Sequence, residues 1–133
     1  MKRFPYVSII LENTEGDVLL LLRENRSTTI CPVHWTFIGG GVQAGEDPEA
    51  AAQRVLEEET GVRTQVSLWK HYDREHPPFT IDQIIFTAQT EASGQLLVLG
   101  QDIQFFKSCE IEYLTIGYGF KELLQEYFLV KDR

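Results

Sequence analysis

The sequence has few of the side chains that build structural metal sites, and none of them has the spacing that such a site needs. Its 133 residues include two cysteines and three histidines. Cys31 and Cys109 are far apart and form no Cys-x-x-Cys pair, and the histidines at 34, 71 and 76 are isolated. A structural zinc site draws four such ligands at short spacings, so the sequence argues against one.

Long hydrophobic runs and an excess of positive charge are also absent. The apolar run at 18–22 is too short to span a bilayer, and the first residues lack the apolar stretch of a signal peptide. We therefore expect a cytoplasmic protein with no membrane partner. The net charge is −8, which argues against a nucleic-acid partner because that normally requires a basic patch. A small phosphorylated ligand remains compatible, since a metal and a few local cations can neutralise it.

The composition is that of an ordinary globular chain. Hydrophobic residues make up 43% and charged residues 24% of the sequence. At this length, one domain over residues 1–133 can bury about two-thirds of its unfolded surface. Apolar periodicity and turn residues predict a mixture of strands and helices. The predicted strands are 6–12, 18–22, 35–38, 65–71, 80–88, 96–99 and 103–106, and the predicted C-terminal helix is 120–129.

A glycine run followed by a capped helix and three adjacent glutamates is the most informative feature of the chain. Pro48 suits the first turn of a helix, and Asp47 before it can accept a hydrogen bond from the free backbone N–H groups. Strong helix formers follow, and Gly61 is the residue type that ends a helix in the left-handed conformation. We therefore predict a helix from Pro48 to Thr60.

Two of the three glutamates project toward one face of this predicted helix. Each residue advances by about 100°, so Glu58 and Glu59 flank the direction of Val55, whereas Glu57 points away. Adjacent carboxylates repel each other, and a hard divalent cation relieves the repulsion. Mg²⁺ takes one or two protein carboxylates and fills its shell with water and substrate phosphate oxygens. The pattern indicates Mg²⁺ and a phosphate ester or anhydride, although glutamate runs alone are usually solvated helix faces.

The stretch from Gly40 to Val62 resembles the signature of the Nudix hydrolases. Eight of the nine specified positions match, which is far more specific than an isolated glycine motif. The matching residues are Gly40, Glu46, Arg54, Leu56, Glu58, Glu59, Gly61 and Val62. The resemblance implies an α+β fold, an α/β/α sandwich in which a mixed β-sheet lies between helices.

Val55 is the ninth position and the one departure from the signature. Where this chain has Val55, the family has a glutamate that acts as general base or as an additional metal ligand. Valine can do neither, and Glu57 cannot replace it because it lies about 160° round the helix. Loss of a general base typically costs on the order of 10² to 10⁴ in rate. His76 and Asp82 remain candidates for the vacant role.

The resemblance implies a set of metal ligands. Glu58 and Glu59 would bind the metal through their carboxylates, and Gly40 through its carbonyl oxygen. Family members often recruit one more carboxylate from a later loop, for which Asp102 is the candidate. Its rivals are Glu110 and Glu112. The implied cofactor is Mg²⁺, for which Mn²⁺ can substitute.

The remaining site residues would orient the ligands or contact the substrate. Arg54 can pair with Glu58 one turn away, as a catalytic helper or as a plain surface ion pair. Glu46 is either structural, at the positive end of the helix dipole, or a direct ligand. Arg23 would contact a phosphate or be solvated at a strand end. The glycine run would let the backbone approach the substrate. Its members are Gly39, Gly40 and Gly41.

These expectations define two functions. The first is a Mg²⁺-dependent hydrolase that cleaves a phosphoanhydride bond in a nucleoside diphosphate linked to another group, slowed by Val55. The alternative is a nucleotide-binding or sensing module that kept the fold and lost efficient catalysis. The resemblance leaves a homodimer open, because dimers are common in the family.

Overall fold

The computed structural model describes residues 2–24, 33–91 and 103–131. These ranges form a seven-stranded sheet, two α-helices and one 3₁₀ helix. The strands are β1 (Arg3–Glu12), β2 (Val18–Glu24), β3 (Val33–Thr36), β4 (Ile38–Gly41), β5 (Val66–His76), β6 (Phe79–Gln89) and β7 (Ile103–Phe106). The helices are α1 (Pro48–Thr60), the 3₁₀ helix (Ser108–Tyr113) and α2 (Phe120–Lys131).

The sheet is mixed, and β1 lies at its centre. The main strand order is β3-β2-β1-β6-β5, with β4 paired to β1 and β7 paired to β2. β1 runs parallel to β6 along its whole length and antiparallel to β4 and β2. β5 and β6 form an antiparallel hairpin. The central strand therefore carries the glycine strand β4 on one side and β6 on the other.

Alternate residues of the central strands pack on opposite faces of the sheet. Val7, Ile9 and Leu11 of β1 belong to the core under α1, which also contains Val55 and Leu56 of that helix. The residue between two of them, Ile10, belongs to a second core. That second core includes Phe120 and Leu124 of α2 and Ile111 of the 3₁₀ helix. The period of two along a strand thus places a helix on each face of the sheet.

Local sequence signals account for the bounds of α1. Asp47 has extended backbone angles and its carboxylate accepts a hydrogen bond from the Glu49 N–H at 3.2 Å. Pro48 begins the helix, and Gly61 ends it with φ of 77°. The predicted helix from Pro48 to Thr60 is confirmed, as is the α/β/α sandwich with a mixed sheet. Neither α-helix in the described part of the chain has the length and apolar character needed to span a membrane.

The prediction of one strand over 35–38 is wrong, because two strands meet there. The chain breaks at Phe37 into β3, which pairs with β2, and β4, which continues through the glycines to Gly41 and pairs with β1. The buried Phe37 ring stacks on Phe120 of α2, with centroids 4.4 Å apart, where the chain changes partner. β5 also extends to His76, five residues past its predicted end. The predicted strand 96–99 lies outside the described residues.

Candidate functional site

The glycine strand β4 is pressed between β1 and α1. A β-carbon on Gly39 would lie 2.7 Å from Cε1 of Tyr6, and one on Gly40 would lie 2.9 Å from Cγ2 of Val55. Side chains at these two positions would collide with their neighbours, whereas Gly41 has open space around it. The first two glycines therefore allow α1 and Tyr6 to approach the β4 backbone. The exposed Gly41 lies where the strand reaches the surface.

Glu58 and Glu59 follow Val55 by one helical turn on the same side of α1. Because Val55 contacts Gly40, these carboxylates lie one turn further along the surface that faces β4. Glu58 is exposed, and Glu59 is partly buried. Glu57 instead pairs with Arg63 at 2.8 Å. The three adjacent glutamates thus have different surroundings, as the predicted helix angles require.

Arg54 ties the loop before α1 to the helix. Its Nε and Nη2 donate to the two carboxylate oxygens of Glu46 at 2.8 and 3.0 Å. Nη2 also donates to the Gly41 carbonyl at 3.0 Å, and Nη1 donates to Glu58 at 3.3 Å. One guanidinium therefore joins the end of β4, the loop and a glutamate of the pair. The fork geometry favours such bidentate pairs.

Glu46 is held as a carboxylate by this network. The hydrogen bond from Arg54, and then the one from the Gln43 N–H, lower its pKa to about 2. Its two oxygens are occupied by Arg54 and by the Gln43 backbone. Of the two roles predicted for Glu46, these contacts favour the structural one.

A cavity of about 200 Å³ opens beside Tyr6. Its lining includes Tyr6, Arg23, Arg74, His76, Tyr118 and Phe120. Burial raises the pKa of the Tyr6 hydroxyl, whereas the charge of Arg23 lowers that pKa and the charge of Glu59 raises it. Arg23 lines this cavity together with Tyr6. Since the Tyr6 ring also packs beside Gly39, the cavity adjoins the glycine strand.

The chain matches the NUDIX domain family over residues 2–124. The chain belongs to the NUDIX family. A protein of Caulobacter vibrioides named RNA pyrophosphohydrolase is 43% identical over 75 residues, which are 52% of this chain and 41% of that relative. The chain thus matches less than half of that relative's length.

Solved structures share the whole fold. A MutT protein from Methanosarcina mazei superposes with a TM-score of 0.80 at 18% identity, over 99% of this chain and 97% of that one. The NUDIX domain of Shewanella oneidensis NrtR, solved with ADP-ribose, has a TM-score of 0.77 at 16% identity, over 96% and 87% of the two chains. At such identities these structures establish the NUDIX fold alone.

The donor set of this NUDIX chain fits a divalent ion that shares its shell with substrate. Within the described ranges, no three His, Cys, Asp or Glu side chains come together as a metal-binding group. The ligands predicted from the resemblance are Glu58, Glu59 and the Gly40 carbonyl, and Val55 adds none. Mg²⁺ commonly takes one or two carboxylates and leaves positions for water and phosphate oxygens. Such an ion fits these residues when phosphate completes its shell.

Two groups of predicted residues remain, the candidates for a further metal ligand and the candidates for the general base. Asp102 lies outside the described residues. Glu110 caps the 3₁₀ helix by accepting from the Lys107 N–H at 2.8 Å, and Glu112 is exposed on the same helix. Ile111 between them packs in the core on the α2 side of the sheet, whereas Glu58 belongs to α1 on the other side. Asp82 contacts His71 at 2.5 Å.

The sequence analysis missed Arg74, Tyr118 and Gln83. Arg74 and Tyr118 line the cavity, and Gln83 is a fully buried residue of β6 that contacts Arg74. The one local signal was the Gly117-Tyr118-Gly119 triplet, which reads as a turn. Strand pairing brings Arg74 beside Gln83 and Tyr6, and no local sequence pattern predicts this arrangement.

Proposed function

We propose that this NUDIX chain is a Mg²⁺-dependent hydrolase that cleaves a phosphoanhydride bond in a nucleoside diphosphate linked to another group. Water attacks phosphorus in this reaction. The observation that carries the proposal is the carboxylate pair Glu58 and Glu59, which lies one helical turn from the contact between Val55 and Gly40. Arg54 supports it by joining Glu58, Glu46 and the Gly41 carbonyl.

Each part of the site has a task in such a reaction. Glu58, Glu59 and the Gly40 carbonyl would hold Mg²⁺. When bound, Mg²⁺ neutralises charge on the phosphoryl oxygens and lowers the pKa of water. Arg54 keeps the Glu58 carboxylate and the end of β4 in position, so little reorganisation is needed when substrate binds. The Tyr6 hydroxyl and the Arg23 guanidinium would contact the substrate from the adjoining cavity.

The alternative function is a nucleotide-binding or sensing module. Val55 favours it, because the side chain at this position is a buried core residue with 3% exposure and can accept no proton. In that case the glutamate pair would bind metal and nucleotide without efficient turnover. Metal binding alone therefore cannot separate the two functions, and product formation must be measured.

The name of the Caulobacter relative adds one substrate to the candidates. An RNA 5′-triphosphate end carries the same phosphoanhydride bonds as a nucleoside triphosphate. The net charge of −8 disfavours long contacts with a polynucleotide backbone. A short triphosphate end engages only the metal and a few cations, so it belongs in the substrate panel.

The first experiment measures product release with and without Mg²⁺. The panel contains nucleoside triphosphates, nucleotide sugars, ADP-ribose, dinucleoside polyphosphates and a 5′-triphosphate oligoribonucleotide. We expect metal-dependent turnover of one class, reduced at least about 100-fold in Glu58→Gln and Glu59→Gln. The matched control is Glu57→Gln, which removes a neighbouring carboxylate that pairs with Arg63 and should leave turnover unchanged.

Thermal unfolding with and without Mg²⁺ supplies the second readout. A ligand that binds only the folded state stabilises it, so Mg²⁺ should raise the Tm of the wild type and of Glu57→Gln but not of Glu58→Gln or Glu59→Gln. Absence of turnover on the whole panel, with a Mg²⁺-dependent Tm shift and nucleotide binding retained, would favour the sensing module. Turnover that is independent of metal would contradict the proposed mechanism.

A further inference from the structure

We propose that Gln83 is a positioning residue of the candidate site, whose buried amide fixes the Arg74 guanidinium at the wall of the cavity and ties it to the part of β1 that pairs with the glycine strand. Gln83 has no exposed surface, so it cannot touch a substrate and acts through Arg74. The inference rests on the proposed function and adds to it a residue that lies beneath the site.

The Gln83 side chain joins three neighbouring strands. Its Oε1 accepts a hydrogen bond from the Nε of Arg74 in β5 at 3.2 Å. Its Nε2 donates to Oγ of Ser8 in β1 at 2.9 Å and to the Tyr6 carbonyl at 3.4 Å. Because the amide NH₂ group is directed at β1, the amide oxygen faces β5. Both neighbouring strands therefore set the orientation of this amide.

The amide lies in a row of the sheet that is otherwise apolar. Gln83 and Ser8 are 0% and 1% exposed. Ile85 and Ile10 follow two residues later on the same strands and the same face, and both belong to the second core. Backbone pairing already joins β1 to β6 along the whole of β1. Apolar side chains would fill this space without burying polar groups, so packing alone does not account for Gln83.

Arg74 is the residue that Gln83 positions at the surface. It lines the cavity together with Tyr6 and Tyr118. Its Cζ atom lies 4.7 Å from the centroid of the Tyr118 ring. With its Nε bonded from below and the ring beside it, the guanidinium plane is fixed before any ligand arrives. Without Gln83, the Arg74 side chain would regain rotational freedom that ligand binding must then remove.

The same amide supports the strand that lies beside β4. Ser8 pairs with Gly39 in the register of β1 and β4, and a β-carbon on Gly39 would lie 3.1 Å from the Ser8 Oγ. The next residue, Gly40, carries the carbonyl predicted to bind the metal. The hydroxyl to which Gln83 donates therefore packs against the glycine strand. One buried side chain thus links the wall of the cavity to β4.

The first test separates positioning from a purely structural role. The double variant Ser8→Ala/Gln83→Leu removes both buried partners, so its Tm should be close to that of the wild type or above it. We expect its kcat/KM on the substrate identified with the wild type to fall roughly 10- to 100-fold. Ile85→Val is the matched control from the same face of β6, and it should lower the Tm and leave kcat/KM unchanged. An unchanged kcat/KM in the double variant, or a loss that only follows the Tm, would overturn the proposal.

A double-mutant cycle tests whether Gln83 acts through Arg74. We expect Gln83→Leu to lower kcat/KM in the wild-type background and to change it little beside Arg74→Met, where the positioned side chain is gone. Gln83→Glu should retain most of the turnover, because its carboxylate still accepts from Arg74 and the Ser8 hydroxyl can turn to donate to it. Equal losses in both backgrounds would overturn the proposal, as would a loss in Gln83→Glu that matches Gln83→Leu.

Two readouts without turnover keep this inference separate from the proposed hydrolase. The Arg74 Nε–H should exchange slowly with solvent in NMR spectra of the wild type and of Gln83→Glu, and fast in Gln83→Leu. Binding of ADP, measured by calorimetry with Mg²⁺, should weaken several-fold in Gln83→Leu, with no further loss when this change is added to Arg74→Met. If the wild type turns over no substrate, the hydrolase fails and the ADP cycle still decides the role of Gln83. ADP affinity that is equal in wild type and Gln83→Leu, or no ADP binding at all, would then overturn it.

Discussion

Val55 serves the hydrophobic core at a position where the NUDIX signature has a carboxylate. It is 3% exposed, packs with Leu56 and Ile38 in the core under α1, and contacts Gly40 through Cγ2. The β4 strand can lie this close to α1 because Gly40 has no side chain. Val55 therefore stabilises the contact between helix α1 and the glycine strand β4, and it supplies no proton acceptor.

Replacement of Val55 by glutamate should raise hydrolysis if a general base is what the site lacks. We expect kcat with Mg²⁺ to increase on the order of 10² to 10⁴, since that is the range for a positioned base. The measurement is kcat on the substrate class identified with the wild type. Val55→Gln is the matched control, because it has the same size and polarity without a titratable group. No difference between the two folded variants would contradict the prediction.

Helix α1 is the element that carries the candidate metal ligands, and its C-terminal end decides how firmly they are held. Glu58 and Glu59 lie in the last turn, three and two residues before Gly61. Gly61 adopts φ of 77° and its N–H donates to the Glu57 carbonyl at 2.8 Å. This cap closes the last turn in the αL form that glycine favours. The end of the helix, and with it the carboxylate pair, depends on that residue.

Gly61→Ala should destabilise the protein by about 1 to 2 kcal/mol, the penalty for a β-carbon in the left-handed region. No atom crowds the position, so the effect comes from the backbone angle alone. Urea unfolding measures the change in free energy. Gly41→Ala is the control, because Gly41 has open space and no positive φ. Equal stability of the two variants would show that the cap contributes nothing.

The strained turn at 117–119 is a second element of interest, because Tyr118 lines the cavity beside Tyr6. Tyr118 in the left-handed region costs about 1 to 3 kcal/mol relative to an ordinary conformation. Three backbone hydrogen bonds hold the segment: Trp35 N–H to Thr115, Gly117 N–H to Trp35, and Phe120 N–H to Gly117. The ring contacts of Tyr118 with Arg74 and His34 offset part of that penalty.

At the scale of the whole molecule, the loss of stability at acid pH should show how much the Glu46–Arg54 ion pair contributes to folding. The pKa of Glu46 is about 2 in the folded protein, below its ordinary value of 4.5. Because the folded pKa is the lower one, the pair stabilises the protein fully above about pH 4.5. That contribution is lost as the pH falls from 4.5 toward 2.

Urea midpoints of wild type and Glu46→Gln between pH 7 and pH 2 test this linkage. The wild type should be more stable at pH 7, and the difference should shrink as the pH falls below 4.5. Glu57→Gln removes the partner of the exposed Arg63 and serves as the control, with little difference at any pH. A difference for Glu46→Gln that stays constant across this range would contradict the assignment.

Local signals explain which elements could be predicted from the sequence. The bounds of α1 follow from Asp47, Pro48 and Gly61, whose effects act within one helical turn. The exchange of partners at Phe37 could not be predicted, because β3 and β4 pair with different strands that lie far away in sequence. The glycines that follow the predicted strand 35–38 form most of β4, since β1 offers them backbone partners.

The sequence by itself determined the α1 helix, the position and spacing of the glutamates, and the absence of a carboxylate at Val55. These properties depend on residues within a few positions of one another. Only the tertiary structure decided that Val55 packs on Gly40, that Glu46 binds Arg54, and that a cavity lies beside Tyr6. The cavity is lined by residues of β1, β2, β3, β5, β6, the turn at 117–119 and the start of α2. The reason is physical: strand pairing and packing bring together side chains whose separation along the chain carries no local signal.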